Sequence, residues 1–214
     1  GYLHNLGVGV NMRKSAVGYM KEFKKSRDRI LAKATNIWTN SIFDFLVPLS
    51  SDERGEWGED YFQQMMKRVT EYLVNWDGNT NIKYVDGIYD LSVQSANKKR
   101  NKKRTEVKTA MRGTSLNSYQ HEHIVESEHY DRLVLLDLTP DDKVYITVIK
   151  NTEMVYGTKH PIFKTKSTPC KGGWKYDMRP TTLNRGIEAG LTYLHDLKKP
   201  NYNQLSKFLV KHFR

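Results

Sequence analysis

The stretch "TEVKTA", residues 105–110, follows directly on "KKRNKKR", residues 98–104. It reads as a strand, and strand residues two apart point to the same face. Glu106 and Lys108 therefore share a face, and Val107 takes the other. Upstream, "GIYDLSV", residues 87–93, alternates in the same way. Asp90 stands with Ser92 and Gln94, while Tyr89, Leu91 and Val93 form an apolar face. If the two strands pair through the loop that holds "KKRNKKR", Asp90 comes close to Glu106. Two hard carboxylates at such a distance repel unless a cation sits between them. Mg²⁺, which prefers oxygen ligands and keeps several waters, suits that position. An ion held there polarises a phosphodiester and lowers the pKa of a bound water. Lys108 beside it would hold the attacking water or a phosphate oxygen.

Composition agrees with a polyanionic partner. The chain of 214 residues carries a net charge of +11, and six of those charges lie in "KKRNKKR". The remainder is still basic, which points to nucleic acid first and an acidic membrane surface second. No apolar run approaches the length of a membrane span, so no membrane partner is expected. The start, "GYLHNLGVGVNMRK", lacks a signal pattern. A single cysteine, Cys170, excludes an internal disulfide, and an intracellular, cytoplasmic setting is expected.

Outward from the motif, hydrophobic periodicity predicts helices over residues 13–33, with Val17, Met20, Phe23 and Ile30 on one side, and over 55–75. The second helix has a cap at Ser51 and an apolar stripe of Phe62, Met65, Met66, Val69 and Leu73. A shorter segment, "NIWTNSIFDFLVP", stops at Pro48. Residues 77–80 read as a turn, and 81–95 as one or two strands broken near Asp86-Gly87. "SLNSYQHEHIVESEHY" (115–130) reads as a helix capped by Ser115 or Asn117. "DRLVLLDL" (131–138) is an apolar run of strand length, as in a strand covered on both faces. A turn at 139–142 and the strand "KVYITVIK" follow. Residues 157–180 read as irregular, and helices are expected over 181–196 and after Pro200. The expected fold is α/β, a central mixed sheet of about four or five strands with helices on both sides.

"YDL…TEVK" resembles the signature of the PD-(D/E)XK nuclease superfamily, the fold of most type II restriction endonucleases. Asp90 and Glu106-Val107-Lys108 match its Asp, gap, (Asp/Glu)-X-Lys pattern, with Tyr89 where a Pro is usual. The resemblance covers roughly residues 55–149. It implies a restriction-endonuclease-like core and a Mg²⁺-dependent endonuclease, with Mn²⁺ as a substitute, acting on double-stranded DNA. It further implies that Asp90 and Glu106 bind the metal, with the Val107 carbonyl as a further ligand, and that Lys108 positions the water. Family members carry a helix glutamate that completes the metal site. "GEWGEDYF" offers Glu59, on the flank of the apolar stripe, with Glu56 further outside it in reserve.

The segments are then 1–50, an N-terminal helical part; 51–155, the core with the motif; and 156–214, a basic and aromatic loop with C-terminal helices of the same domain. Lys98, Lys99, Arg100, Lys102, Lys103 and Arg104 are candidate phosphate contacts, with Arg112 and Gln120 as further nucleic-acid candidates. Symmetric duplex cleavage would call for a homodimer. Glu106 and Lys108 also suit a plain exposed charge pair, and Glu59 suits an ordinary helix N-terminal acid. His121 and Gln120 suit surface polarity first, with contact to DNA or to the groups around the metal as the alternative. On a helix His121 and His123 would not face one another, which argues against zinc. Alternatives to a restriction enzyme are a nuclease of the same fold serving repair, recombination, transposition or phage DNA processing, and a non-catalytic nucleic-acid-binding protein.

Overall fold

A computed structural model describes residues 2–76, 89–113, 117–124, 130–151, 160–163, 169–170 and 173–214. The expected turn at 77–80, the strand over 81–88, the Ser115 cap and the tail of the 115–130 segment lie outside the described residues. The chain divides into two compact units, Gly1–Asn40 and Ser41–Arg214, so residues 41–50 belong to the second. The first is built on one long helix, α1 (Tyr2–Asn36). Its side chains from 15 to 32 are exposed, including Val17, Met20, Phe23 and Ile30. Among the described residues no helix is long and apolar enough to cross a membrane.

The second unit opens with a short 3₁₀ turn, Asp44–Leu46, and then α2 (Ser51–Val69). Ser50, not Ser51, is the cap. Its hydroxyl accepts from the Glu53 N–H and the Glu53 carboxylate accepts from the Ser50 N–H, both at 3.2 Å. This reciprocal pair satisfies two orphan donors of the first turn. The helix stops at Val69, earlier than its apolar stripe suggests. Thr70 turns its hydroxyl back onto the Met66 carbonyl at 2.6 Å, and the chain becomes strand β1 (Leu73–Trp76). Leu73, expected on the helix stripe, is 45% exposed on that strand.

The remaining elements are β2 (Leu91–Gln94), β3 (Lys103–Met111), β4 (Tyr119–Ile124), β5 (Arg132–Leu138), β6 (Lys143–Lys150), β7 (Pro169–Cys170), β8 (Gly173–Met178), α3 (Pro180–Glu188), β9 (Thr192–Asp196) and α4 (Tyr202–His212). Six strands form a mixed sheet in the order β1-β2-β3-β5-β6-β9, and β4-β8-β7 form a second, smaller sheet. The β3–β5 pair is parallel and every other neighbour in the large sheet is antiparallel. The α/β class and the mixed sheet are as expected. Every residue of β5 is buried, as its apolar run predicts.

Three expectations are corrected. Residues 119–124 form a strand, not a helix: Tyr119, His121 and Ile124 are buried while Gln120 and Glu122 are exposed, and the segment pairs with β8. That ladder is a long-range partner invisible to local helical spacing. The C-terminal helix expected over 181–196 ends at Glu188. Gly190 adopts φ +73°, the left-handed conformation that closes helices, and the β-prone Thr192 and Tyr193 then pair with β6. Strands β7 and β8 fall in the stretch read as irregular. With β1 and β9 added, the sheet has six strands rather than four or five.

The two faces of the large sheet have different covers. On one, Ala110, Leu133 and Leu135 join a cluster with Tyr119, Ile124 and Met178 of the small sheet and Leu183 of α3. Lys108 is level with Leu135 in the β3–β5 register and so belongs to this side. On the other face α2 lies against β3. A Cβ on Gly58 would stand 2.8 Å from the Cβ of Thr109 and overlap its hydroxyl. Phe213, after α4, packs near Phe62 of α2, with ring centroids 6.0 Å apart. Gly58→Ala is accordingly expected to destabilise the protein by about 1–3 kcal/mol, by overpacking. Thr109→Ala in the same chain should recover part of the loss. Urea denaturation of the single and double variants measures both.

Candidate active site

The β2–β3 hairpin sets the geometry. Its register places Leu91 opposite Thr105 and Ser92 opposite Arg104, so Asp90, one residue earlier, comes level with Glu106. Two bonds fix Asp90 there. Its N–H donates to the Thr105 carbonyl at 2.9 Å, and its Oδ2 accepts from the Val107 N–H at 2.9 Å. Backbone and side chain thus bracket Glu106. A strand residue directs its N–H and C=O to the same side, so the Val107 carbonyl also faces the Asp90 side. Glu106 and Lys108 share a face as expected, with Lys108 Nζ 3.5 Å from Glu106 Oε1.

Both side chains are about one-fifth exposed, so this is no solvated surface pair. Burial, the charge of Asp90 and the charge of Glu59 push the Glu106 carboxyl up to about 8, against the opposing pull of Lys108. Burial is the largest of these causes, and the neighbouring carboxylates add to it. Glu59 is buried on α2, whereas Glu56 is exposed. Helical spacing therefore selects Glu59, and Trp76 of β1 donates its indole N–H to Glu59 Oε2 at 3.1 Å. Neighbouring Asp60 accepts from the Gln63 amide at 2.9 Å.

With Glu106 ionised, it and Asp90 would outweigh the one ammonium of Lys108, Glu59 adding its charge from α2, a surplus that a divalent cation would relieve. Among the described residues no three His, Cys, Asp or Glu side chains gather closely enough to hold an ion by themselves. An ion at Asp90 and Glu106 would therefore need waters to complete its shell, as Mg²⁺ keeps when it binds through one or two carboxylates. Asp90 and Glu106 are the fitting donors, and the Val107 carbonyl lies on the same side.

The basic run divides in two. Lys98, Lys99, Arg100 and Lys102 are exposed on the hairpin connection. That connection is an ordered turn. The Lys98 N–H donates to the Ser95 carbonyl at 2.9 Å, the Lys99 N–H donates to Asn97 Oδ1 at 3.0 Å, and Lys98 adopts φ +53°. The four residues of β2 separate this turn from Asp90, roughly 13 Å of strand. Lys103 and Arg104 instead open β3. The Arg104 guanidinium grips both oxygens of Asp131 at 3.1 Å, a forked pair that ties β3 to the start of β5. Arg112 lies just past β3, its N–H on the Leu138 carbonyl at 3.2 Å. It is four residues beyond Lys108, roughly 13 Å along the strand. Gln120 is exposed on β4 opposite Asp177.

His121, read as surface polarity, is instead buried. Its Nε2 lies 2.6 Å from Asp137 Oδ1, and Asp137 is wholly inside. On a strand His121 and His123 would share a face, but an irregularity between His121 and Ile124 and φ +54° at His123 turn the second ring outward. The His123 side chain is 56% exposed, so the two rings occupy different environments. The sequence signal for this pair is an aspartate inside the otherwise apolar run of β5.

No family model, curated protein or solved structure matches the chain.

Proposed function

We propose that this chain is a Mg²⁺-dependent nuclease with a restriction-endonuclease-like core that hydrolyses phosphodiester bonds in DNA. The observation that carries the reading is the hairpin that brings Asp90 level with Glu106, its Oδ2 2.9 Å from the Val107 N–H, with Lys108 Nζ 3.5 Å from Glu106 Oε1. Burial first, then the charges of Asp90 and Glu59, hold the Glu106 carboxyl high, and perturbed carboxyls of this kind cluster at functional sites. The Glu-X-Lys strand also lies inside the mixed sheet, between an antiparallel and a parallel neighbour, consistent with the resemblance.

Asp90 and Glu106 would hold the ion, with the Val107 carbonyl as a further donor and Glu59 acting directly or through water. The ion, when bound, supplies Lewis-acid polarisation of the phosphate and a bound water of lowered pKa. The chain's own groups do the rest. The Val107 N–H locks the Asp90 carboxylate in one orientation. Glu106 holds the Lys108 ammonium at the site, where its protons are directed at the water oxygen or a phosphate oxygen and stabilise developing charge. Lys98, Lys99, Arg100 and Lys102 would neutralise phosphates further along the strand. By the resemblance, the products carry a 5′-phosphate and a 3′-hydroxyl.

The test is incubation of the purified protein with plasmid and phage DNA, with Mg²⁺ or with EDTA. Discrete fragments that require Mg²⁺ are the expected result for a restriction-type enzyme. Preference for branched or nicked substrates would move the reading to repair or recombination. Binding without cleavage of duplex, branched or single-stranded nucleic acid would leave a non-catalytic module carried by the exposed hairpin cations.

A further inference from the structure

The first compact unit, Gly1–Asn40, is built on α1 and contributes no residue to the candidate site. Over residues 15–32 every side chain of this helix is exposed. Val17, Tyr19, Met20, Phe23 and Ile30 are among them, each between 50% and 70% exposed. At about 100° per residue these five fall on one side of the helix. A helix of 35 residues is about 52 Å long, and helices in proteins owe most of their stability to the packing of an apolar face. An apolar row left in water on such a helix marks an interaction surface. Its spacing is regular. Ala16, Met20, Phe23, Arg27 and Ile30 follow one another in steps of four and three, the a and d positions of a coiled-coil seam.

We infer that α1 pairs in parallel with α1 of a second copy of this chain along that seam. The charge pattern selects this occupant. Lys21, Glu22, Lys25, Asp28 and Arg29 fall at the outer b, c and f positions of the repeat, so two copies do not set them against each other. Over residues 15–32 Arg27 is the one charge in the seam. Its guanidinium leans onto Asp28 Oδ1 at 3.3 Å, toward the outer face. One polar residue at an a position fixes register at a cost in stability. At the flank, Tyr19 of one copy meets Lys24 of the other, an aromatic ring against an ammonium rather than two like charges. Ala16, Val17, Met20, Lys21 and Lys24 line a shallow, mainly apolar groove, which a side chain of the facing helix would fill. The five exposed side chains offer on the order of 500 Å² per copy, and about 1,000 Å² for the pair reaches the threshold of a specific interface. DNA phosphates would satisfy the cations but leave the apolar row wet. The inference stands apart from the metal-site reading, which uses no residue of α1. A two-fold pair would also supply the second subunit that symmetric duplex cleavage needs.

Sedimentation equilibrium of the full chain across about 1–100 μM protein, in EDTA and without DNA, measures the association. Four proteins are compared: the parent, Phe23→Asp, Arg27→Leu and Lys25→Asp. The parent is expected to dimerise within that range. Phe23→Asp puts a carboxylate into the seam from each copy and should weaken the dimer by about 100-fold or more. Arg27→Leu removes the charge from the seam and should tighten the dimer by about tenfold, a gain that misfolding does not produce. Lys25→Asp introduces the same side chain on the outer face and should leave the dissociation constant within about twofold of the parent's. A parent that stays monomeric overturns the inference. If that monomer sediments with phosphatidylglycerol vesicles and Phe23→Asp does not, the face belongs to an anionic lipid surface instead. A parent dimer that survives Phe23→Asp overturns the inference as well, since the interface then lies elsewhere. Dimerisation through α1 in a protein that binds no Mn²⁺ would remove the metal reading and leave this inference standing.

Discussion

Asp90→Asn is expected to lower metal-dependent cleavage by at least about 100-fold while leaving the fold at least as stable as in the parent. Asp90 has two separable jobs. Its Oδ2 accepts the buried Val107 N–H at 2.9 Å, and its charge helps to raise Glu106. Asparagine keeps a carbonyl oxygen for the N–H and deletes the charge. The bond survives, the repulsion against Glu106 disappears, and the hard anionic donor for Mg²⁺ is lost. Asp90→Ala separates the effects from the other side. It removes the acceptor as well and strands a buried N–H, which costs about 1–3 kcal/mol against the relief of repulsion. Both variants should be inactive, with alanine the less stable of the two. Single-turnover cleavage and thermal melting in EDTA check the two halves. Full activity in Asp90→Asn would remove Asp90 from the site.

The second large effect is on pH. The Glu106 carboxyl is raised from its ordinary 4.5 to about 8, so between those values the folded, metal-free protein holds a proton that the unfolded chain has released. The folded state binds more protons in that window, and its stability therefore falls as pH rises through it. Glu106→Gln should abolish this contribution and melt higher than the parent at pH 8 in EDTA. Metal binding runs in the opposite sense. A divalent ion requires the Glu106 carboxylate, so below about pH 8 each binding event expels a proton. Apparent Mg²⁺ or Mn²⁺ affinity should rise about tenfold per pH unit from pH 6 to 7 and level off above pH 8. Titration calorimetry at pH 7 in buffers of different ionisation enthalpy should register close to one proton released. A pH-independent affinity across that range would show that Glu106 is no ligand.

Much of this arrangement was open to a reader of the residues alone, because strand and helix periodicities are local. Alternation around Val107 puts Glu106 and Lys108 on one face, and the buried Leu91 and Val93 put Asp90 opposite them. Helical spacing separates buried Glu59 from exposed Glu56. The apolar run of β5 announces a strand covered on both faces, and it is wholly buried. The α/β class follows from the same signals.

Other features depend on partners distant in the chain, and no local period encodes them. Tyr119–Ile124 reads as helix from its sequence but becomes a strand because β8, fifty or more residues later, offers a ladder and an apolar cover. His121 looks like surface polarity until Asp137 meets it inside. Arg104 looks like one more phosphate contact in a basic run, yet Asp131 takes its fork. Trp76 has no motif to mark it, and its link to Glu59 exists only where β1 passes α2. The raised Glu106 belongs to this second group as well. Its residue type is written in the chain, but its proton affinity is set by burial and by two carboxylates that folding brings within reach from sixteen and forty-seven residues away.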